Sequence, residues 1–391
     1  MKNNLPLMST YSYLSVNLVK GEGSYLFDDK GNKYIDFTSG IGVNSLGYGD
    51  SDWLKAITAT ASSLQHISNI FLNENTLKLA EKLTNISEMS KVFLCNSGAE
   101  ANEGAIKLAR KYSFEKYGPN RNKILTLKQS FHGRTLATLT ATGQDKFHNY
   151  YFPFPEGFDY FEANNIDDFS NKLSNEVCAV MMESIQGEGG VNPLKNDFVS
   201  SIYEVCREKD IILIFDEVQC GIGRTGKVFG YENYNIKPDI VTVAKGLGAG
   251  LPIGAFLCNE KLSKTFNPGD HGTTFGGNPV VCSGALVVLD KICNKDKLKE
   301  IEENGLYLMS LLKDINSPLI KDIRGKGLMI GIEIDGTITP SDIQNKALEK
   351  GLLVLTAGKN VVRLLPPLII SKEEIEKGVE ILKETMSMHN A

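Results

Sequence analysis

The middle of the chain alternates short, almost wholly apolar runs with segments of helical periodicity. Helices are predicted over residues 99–117 and near 197–209. A strand that is apolar on both faces is buried on both faces, which is typical of a parallel sheet covered by helices. The pattern therefore predicts an α/β fold with a mostly parallel central sheet. The runs interpreted as its strands are KVFLCN (91–96), KILTLK (123–128), VCAVMMES (177–184), IILIFDE (211–217) and DIVTVAK (239–245).

The two ends of the chain have a different pattern. The stretch GSYLFDDKGNKYIDF (23–37) is typical of a hairpin closed by DDKGN, and we expect it to pack with the C-terminal part. After residue 280 the sequence predicts a smaller α+β unit, with helices over 280–292, 295–314, 341–350 and from 372, and strands LMIGIEI (328–334) and VVRLL (361–365). We predict three regions: an N-terminal segment 1–45 that packs with the small domain, a large α/β domain 46–284 and a small C-terminal domain 285–391.

Composition limits the classes of partner. The chain has 391 residues, with 42 Lys and Arg against 47 Asp and Glu, so its net charge of -5 argues against nucleic acid or an anionic membrane as the main partner. No apolar run approaches the roughly 18 residues that span a bilayer, and the N-terminus lacks the layout of a signal peptide. Seven cysteines without a C-x-x-C pair are typical of reduced thiols in a cytoplasmic protein. None of the five histidines is paired at helical spacing, so no metal site is predicted.

Three chemically useful residues follow predicted strands. Asp216 ends one strand, Lys245 ends another, and Ser97 comes just after a third. Because ligands bind beyond the carboxyl ends of the strands in open parallel sheets, we expect these side chains to meet. The alternative for Lys245 taken alone is a solvated lysine at a strand end, since exposed lysine is common.

The segment SGAE (97–100) has the sequence of a capping box that opens a helix. Its free N–H groups and the helix dipole favour an anion such as a phosphate, although an ordinary cap has the same sequence. HGTTFGGNP (271–279) adds hydroxyls and glycines. A phosphate site, a carboxylate and a lysine amine are together what pyridoxal phosphate requires: the lysine bonds to the aldehyde, and the carboxylate keeps the ring nitrogen protonated.

A competing hypothesis is nucleotide binding through CGIGRTGKVFG (220–230). Its glycines at 221, 223 and 226 match G-x-G-x-x-G, but no helical pattern follows them. The phosphate-loop motif requires Ser or Thr after Lys227, and Val228 stands there. Both matches are weak.

Taken together, the motifs resemble the ornithine-type, or class III, aminotransferases. They are NSGAEANEGAIKLAR, SFHGRT, IQGEGGV, FDEVQCGIGRTG, AKGLGAGLPIGA, HGTTFGGNP, RGKGLMIGIEI and VVRLLPP, and the resemblance extends from about residue 17 to near the end. It implies a fold-type I pyridoxal phosphate transferase that acts by a ping-pong mechanism, as a homodimer with shared active sites. Within the family the acetylornithine enzymes of arginine biosynthesis are the most similar. The implied reaction converts acetylornithine and 2-oxoglutarate into N-acetylglutamate 5-semialdehyde and glutamate.

The resemblance also implies roles for individual residues. Toward the cofactor, Lys245 forms the Schiff base and Asp216 pairs with the ring nitrogen. Gln219 lies near the phenolic oxygen, and Phe131 stacks on the ring. The phosphate is bound by Ser97, Gly98 and Ala99, and Thr274 reaches the phosphate of the neighbouring subunit. Toward the substrate, Arg134 and Arg363 bind carboxylates, with Thr273 and Glu188 beside them. Bidentate arginines suit the two carboxylates of glutamate. Arg324 in RGKG is interpreted as structural.

Glu188 is implied to pair with Arg363 until a substrate carboxylate displaces it; the alternative is a loop acid without that role. The sequence departs from the family at LGYGDSDW (46–53), where Gly49 and Asp50 replace the usual His-Pro, and in HISNIFLNENT (66–76). Ornithine, succinylornithine and acylated lysine therefore remain alternative amino donors. A non-catalytic pyridoxal-binding relative is a further alternative, disfavoured by the presence of Lys245 and Asp216.

Overall fold

The computed structural model describes residues 6–387 of the chain. Residues 1–5 and 388–391, which belong to the predicted regions 1–45 and 285–391, lie outside the described residues. The strands in chain order are β1 (Leu18–Glu22), β2 (Tyr25–Asp28), β3 (Lys33–Asp36), β4 (Lys91–Cys95), β5 (Lys123–Leu127), β6 (Phe158–Phe161), β7 (Val177–Glu183), β8 (Ile185–Gln186), β9 (Asn192–Pro193), β10 (Ile212–Asp216), β11 (Ile240–Val243), β12 (Gly254–Cys258), β13 (Ile320–Lys326), β14 (Met329–Ile334), β15 (Leu352–Leu353), β16 (Leu355–Ala357) and β17 (Val361–Leu364).

The helices fill the connections between strands. They are α1 (Ser39–Gly42), α2 (Ser51–Ser63), α3 (Glu74–Ser87), α4 (Gly98–Tyr117), α5 (Leu136–Ala141), α6 (Ile166–Lys172), α7 (Asn196–Glu208), α8 (Pro279–Ile292), α9 (Lys295–Lys313), α10 (Pro340–Glu349) and α11 (Lys372–Ser387). Within the described residues, no helix combines the length and the apolar character needed to cross a membrane.

The central sheet has seven strands in the order β4-β12-β11-β10-β7-β5-β6. Strand β12 runs antiparallel to both of its neighbours, and the other pairs are parallel, so the predicted mostly parallel α/β sheet is confirmed. The antiparallel β12 was not predicted. Its direction follows from the short connection 244–253, because a parallel crossover needs a dozen or more residues.

Burial on both faces explains why the predicted strands are so apolar. Every residue of β7, β10 and β11 is buried. Helix α4 packs closely on the sheet, and a Cβ added at Gly104 would lie 2.1 Å from Cε1 of Phe256 on β12. Only glycine permits this approach, which fixes the position of the N-terminus of α4 beside the ends of the strands.

The two ends of the chain pair with each other. Strands β2 and β3 form the predicted antiparallel hairpin, β1 adds an antiparallel strand beside β2, and β15 pairs with β3 in parallel. The remaining C-terminal strands form an antiparallel sheet in the order β13-β14-β17-β16, which packs with α9 and α10, and α11 packs against these two helices. Strand β13 was not predicted because its sequence, IKDIRGK, is half polar. The domain boundaries at residues 45 and 284 stay a prediction.

Candidate active site

A cavity of about 430 Å³ opens beyond the carboxyl ends of the parallel strands. This volume falls in the range of small-molecule sites. The predicted site residues that line it are Ser97, Gly98, Ala99, Phe131, Arg134, Glu188, Asp216, Gln219 and Lys245. Asn102, His132, Glu183 and Val218 also line it and were not predicted.

Lys245 follows β11 directly and has an unusual backbone. Its φ of 42° lies in the left-handed region, which costs a non-glycine residue roughly 1–2 kcal/mol. The side chain is half-buried and faces the cavity, and its Nζ makes no hydrogen bond or ion pair with another described residue. Desolvation by the surrounding protein lowers the pKa of Lys245; Glu188 and Asp216 oppose this effect, and the positive charge of Arg363 adds to it. The neutral amine is therefore more accessible here than on an exposed lysine.

Asp216 ends β10 and is held by three donors. Its Oδ2 accepts a hydrogen bond from Asn102 Nδ2 at 2.7 Å and lies 2.8 Å from His132 Nδ1, while Oδ1 accepts from the Val218 N–H at 3.0 Å. An ionised carboxylate only accepts, so His132 Nδ1 carries a proton in this contact. His132 Nε2 is buried and has no hydrogen-bond partner among the described residues. The carboxylate is thus oriented while Oδ1 retains the capacity to accept another bond.

The N-terminus of α4 opens at the same cavity. Ser97 Oγ accepts from the Glu100 N–H at 3.1 Å, so the predicted serine cap is formed. The Glu100 carboxylate accepts from the Asn96 N–H at 2.6 Å, and not from the Ser97 N–H as a capping box requires, so only half of the predicted capping box is present. These bonds leave the N–H groups of Gly98 and Ala99 without a partner among the described residues. A Cβ on Gly98 would lie 2.7 Å from Cγ1 of Val218, so glycine is required here.

Glu188, Arg363 and Gln219 form one network. Arg363 Nη1 donates to Glu188 Oε1 at 2.6 Å and to Gln219 Oε1 at 3.0 Å, and Gln219 Nε2 donates to Glu188 Oε1 at 3.3 Å. Burial by itself would raise the pKa of Glu188, but Arg363 and Lys245 outweigh it and lower that pKa. Arg363 lies on β17 with 2% of its side chain exposed. Glu188 and Gln219 line the cavity, and Arg363 lies behind them. Its Nε has no hydrogen-bond partner within the described residues.

Glu183, at the end of β7, fastens two parts of the site. Its carboxylate accepts from the Phe131 N–H at 2.9 Å and from the Gly187 N–H at 3.3 Å. Burial raises the pKa of Glu183, the neighbouring Asp216 also raises it, and His132 acts in the opposite direction. One carboxyl therefore positions both the ring of Phe131 and the loop that carries Glu188.

Arg134 and the two threonines lie further out. Arg134 is exposed at the edge of the cavity, and its guanidinium carbon is 5.5 Å from the centre of the Phe131 ring. Thr273 Oγ1 accepts from Asn96 Nδ2 at 3.2 Å, and Asn96 lines the cavity. Thr274 is exposed on the same loop, and the contact predicted for it is with a partner subunit.

The missed residues had weak sequence signals. Asn102 is a polar residue on the buried face of α4, Glu183 ends β7, and His132 lies in the loop that follows β5. Burial of a polar side chain is what marks them, because a buried polar group requires a hydrogen-bond partner, but the sequence alone does not report that burial. Their contacts with Asp216 and Phe131 join positions far apart in the chain, which spacing alone does not reveal.

The residues present fit a phosphorylated aldehyde cofactor. Free N–H groups at a helix N-terminus suit a phosphate, Asp216 Oδ1 suits a protonated ring nitrogen, and Lys245 offers an amine with a lowered pKa. No group of three or more metal-binding side chains occurs in residues 6–387. Turns and bends occupy residues 218–229, so the helix that a nucleotide motif would need does not follow Gly226. The fold and cavity thus define an α/β enzyme site for an amine-reactive, phosphorylated ligand.

Comparison with known proteins identifies the family. The family described as Aminotransferase class-III matches residues 8–386. The acetylornithine aminotransferase of Haemophilus ducreyi is 49% identical over 382 residues, covering 97% of this chain and 96% of that protein. The crystal structure of N-acetylornithine aminotransferase from Stenotrophomonas maltophilia has a TM-score of 0.85 at 35% identity, covering 96% of each chain. An ornithine aminotransferase from Toxoplasma gondii, with partial occupancy of pyridoxal phosphate, has a TM-score of 0.92 at 31% identity and covers 97% of this chain and 92% of its own.

The chain belongs to the class-III aminotransferases, and it is an aminotransferase. The family resemblance noted in the sequence motifs is thereby confirmed, and so is the fold that it implied.

Proposed function

We propose that the protein transfers the ω-amino group of N2-acetyl-L-ornithine to 2-oxoglutarate. The observation that carries this proposal is the arrangement of two arginines around Lys245: Arg363 is paired with Glu188, whereas Arg134 stands at the edge of the cavity without a carboxylate partner among the described residues. Arg134, which has no such partner, suits the α-carboxylate of acetylornithine. Arg363, whose charge is neutralised by Glu188, suits an enzyme that must also accept glutamate. Relatives up to 49% identical over nearly the whole chain carry this activity in their names.

Each step relies on residues of this chain. When bound, pyridoxal phosphate supplies an aldehyde that combines with amines and a ring that accepts an electron pair. The N–H groups of Gly98 and Ala99 would bind its phosphate, and Phe131 would cover its ring. Asp216, oriented by Asn102 and His132, would hold a proton at the ring nitrogen. Lys245 Nζ, with its lowered pKa, would move the proton between carbon and nitrogen.

Glu188 would let one cavity serve two substrates. The carbon that carries the reacting amine bears only hydrogen in an ω-amine, whereas in glutamate it bears a carboxylate. With an ω-amine bound, an unpaired Arg363 would be a buried charge without a partner, which costs free energy. The 2.6 Å bond between Glu188 and Arg363 would neutralise that charge in the first half-reaction. In the second, the carboxylate of glutamate or 2-oxoglutarate would take the place of Glu188.

We further propose a homodimer with shared active sites in the cytoplasm. The segment 70–72 and Phe275 present exposed apolar side chains, with Ile70 and Leu72 each 83% exposed, and Phe275 adjoins Thr274 on the same loop. A surface of this kind fits an interface between subunits, where Thr274 would reach the partner's phosphate. The seven cysteines are free, as expected in a reducing compartment. Boundaries at residues 45 and 284 remain our proposed division into domains.

A substrate panel tests the proposal. Purified protein would be assayed for glutamate formation from 2-oxoglutarate and each of acetylornithine, succinylornithine, ornithine and N6-acetyl-lysine. The expected result is the highest kcat/KM for acetylornithine. A higher value for another donor would assign that substrate instead. No glutamate from any donor, with the cofactor bound, would indicate a non-catalytic relative, and binding of ATP or NAD would favour the nucleotide hypothesis.

A further inference from the structure

Arg134 is held by aromatic rings rather than by acids. Its guanidinium carbon lies 4.1 Å from the centre of the Phe147 ring and 5.5 Å from that of Phe131. The two rings are themselves 6.0 Å apart, in an edge-to-face arrangement at 76°. Within residues 6–387, no carboxylate forms an ion pair with Arg134. The contrast is with Arg363, whose guanidinium is already bonded to Glu188.

The kind of contact determines which part of the guanidinium is left for a ligand. Stacking on an aromatic ring uses the flat face of the group, whereas a carboxylate binds through the N–H groups at its edge. An ion pair with a glutamate would compete with substrate for that edge. Contact with Phe147 orients Arg134 and leaves its edge free, so the arginine is prepared for a carboxylate without being neutralised.

Phe147 is itself fixed relative to the segment that carries Arg134. It ends a single 3₁₀ turn, Asp145–Phe147, and its N–H donates to the Gln144 carbonyl at 3.0 Å. The buried Gln144 side chain donates from Nε2 to the Ser130 carbonyl at 2.9 Å. The next residue, His148, places Nε2 2.9 Å from the Leu139 carbonyl. The loop is therefore fastened on both sides of Phe147 to residues 130–139.

We propose that Phe147 is a positioning residue that makes Arg134 selective for donors with an α-carboxylate. The inference rests on the proposed function, in which Arg134 binds that carboxylate. The Lys146 ammonium lies 4.8 Å from the centre of the same ring, so two cations use the electron-rich Phe147 ring. Removing the ring while keeping an apolar side chain should free Arg134 to adopt other rotamers and weaken its contact with the carboxylate.

The test compares acetylornithine with N-acetyl-1,4-diaminobutane, the same amine without the carboxylate. Both would be assayed with wild type, Phe147→Leu, Phe147→Trp, Arg134→Gln and Phe152→Leu, which removes an exposed aromatic ring from the same loop. For Phe147→Leu the ratio of kcat/KM for the two amines should fall about 3- to 10-fold, through KM for acetylornithine, as expected for a lost cation–π contact. Phe147→Trp, which keeps an aromatic face, and Phe152→Leu should retain the wild-type ratio.

The outcomes separate the two proposals. An unchanged ratio in Phe147→Leu, with a large fall in Arg134→Gln, would overturn the role of Phe147 alone. An equal loss for both amines together with a lower Tm would also overturn it, since that pattern marks a structural residue. If Arg134→Gln keeps the wild-type ratio as well, the carboxylate site itself is wrong, and the failure belongs to the proposed function.

Discussion

Lys245 combines three features that a structural lysine would not combine. It adopts φ of 42°, its pKa is lowered by desolvation, and its amine faces a cavity that Asp216, at the end of the neighbouring parallel strand, also lines. Strained backbone of this kind persists only where the surrounding structure imposes it, and it concentrates at functional sites. The sequence identified the residue because Lys245, Asp216 and Ser97 each stand at the end of a predicted parallel strand, where ligands bind. The left-handed backbone was not predictable, because lysine itself does not favour it.

Replacing Lys245 by alanine should abolish transamination. The amine that bonds to the aldehyde and the proton carrier are lost together, so kcat should fall at least roughly a thousandfold. Glutamate formation from acetylornithine measures this loss. Lys227→Ala is the matched control, since Lys227 lies on the surface in the competing glycine motif, 3.6 Å from Glu302, and should keep wild-type activity. Wild-type turnover by Lys245→Ala would refute the assignment.

Replacing Glu188 by glutamine should shift the preference between substrates. Glutamine keeps the size but not the charge, so Arg363 would be permanently available to a carboxylate. The ratio of kcat/KM for acetylornithine to that for glutamate should fall by about tenfold to a thousandfold, as estimated for breaking a charged pair. Because the pKa of Glu188 is lowered, the acid stays ionised at neutral pH, and the wild-type ratio should be constant from about pH 6.5 to 8.5.

Glu162→Gln is the control for this change, because Glu162 pairs with Lys128 on the surface. It should leave the ratio unaltered. A ratio that does not move in Glu188→Gln either would mean that Glu188 does not mask Arg363.

At the scale of elements, the parallel strands and the helices between them were predicted well, whereas β12 and helix α3 were missed although both have buried apolar residues. The helix expected over 99–117 is Gly98–Tyr117, and Ser97 caps its N-terminus as predicted. Helix α2 also went unpredicted, and none of its residues is buried. Asp50, one of the two residues that replace the usual His-Pro of the family, has a structural role at the start of α2. It caps the helix by accepting from the Trp53 N–H at 2.9 Å, and it pairs with Lys291 at 2.7 Å.

Glu217 connects the end of β10 to the turn at 229–231. Its carboxylate accepts from the N–H groups of Gly230 at 2.6 Å and Tyr231 at 2.9 Å, and from the Ser184 hydroxyl. Burial raises the pKa of Glu217 to about 8, against an ordinary value of 4.5, and the hydrogen bonds oppose this only in part. The folded protein therefore keeps a proton that the unfolded chain releases. This contribution to stability is complete below about pH 4.5 and is lost as pH rises to about 8.

Glu217→Gln does not titrate and should remove that dependence, but its NH2 group cannot accept from the backbone N–H that one carboxylate oxygen now serves. The variant should therefore melt below wild type near pH 5, and the difference should narrow as pH rises to 8.5, where wild type has lost up to a few kcal/mol. Tm measured across this range tests the prediction, with Glu208→Gln, an exposed acid at the end of α7, as the control. Parallel Tm curves for Glu217→Gln and wild type would show that Glu217 does not hold the proton.

At the scale of the whole molecule, residues near the C-terminus contact the N-terminal strands and the loop that carries Glu188, and sequence patterns do not reveal these contacts. Strand β3 pairs with β15, more than three hundred residues later, and Gly358 N–H donates to the Glu188 carbonyl at 2.9 Å. Arg324, interpreted from the sequence as structural, donates to the carbonyls of Val191 at 3.0 Å and Gly190 at 2.8 Å. The C-terminal sheet thus supports the loop that carries Glu188. The fold class could be predicted from the strands, but this arrangement depends on pairings between distant segments.

Arg224 should be a main connection between these parts. It is 2% exposed, and its Nη1 donates to the carbonyls of Leu328 at 2.9 Å and Pro366 at 2.6 Å, while Nη2 donates to Ser39 Oγ at 3.4 Å. Arg224→Lys keeps the charge but cannot span all three acceptors, and each buried group left unpaired costs about 1–3 kcal/mol. We expect a loss of about 2 kcal/mol or more, measured as a fall in Tm of several degrees. Arg207→Lys, on the exposed face of α7, should melt like wild type. Equal Tm values for the two variants would show that Arg224 does not hold the N-terminal turn, the central sheet and the C-terminal strands together.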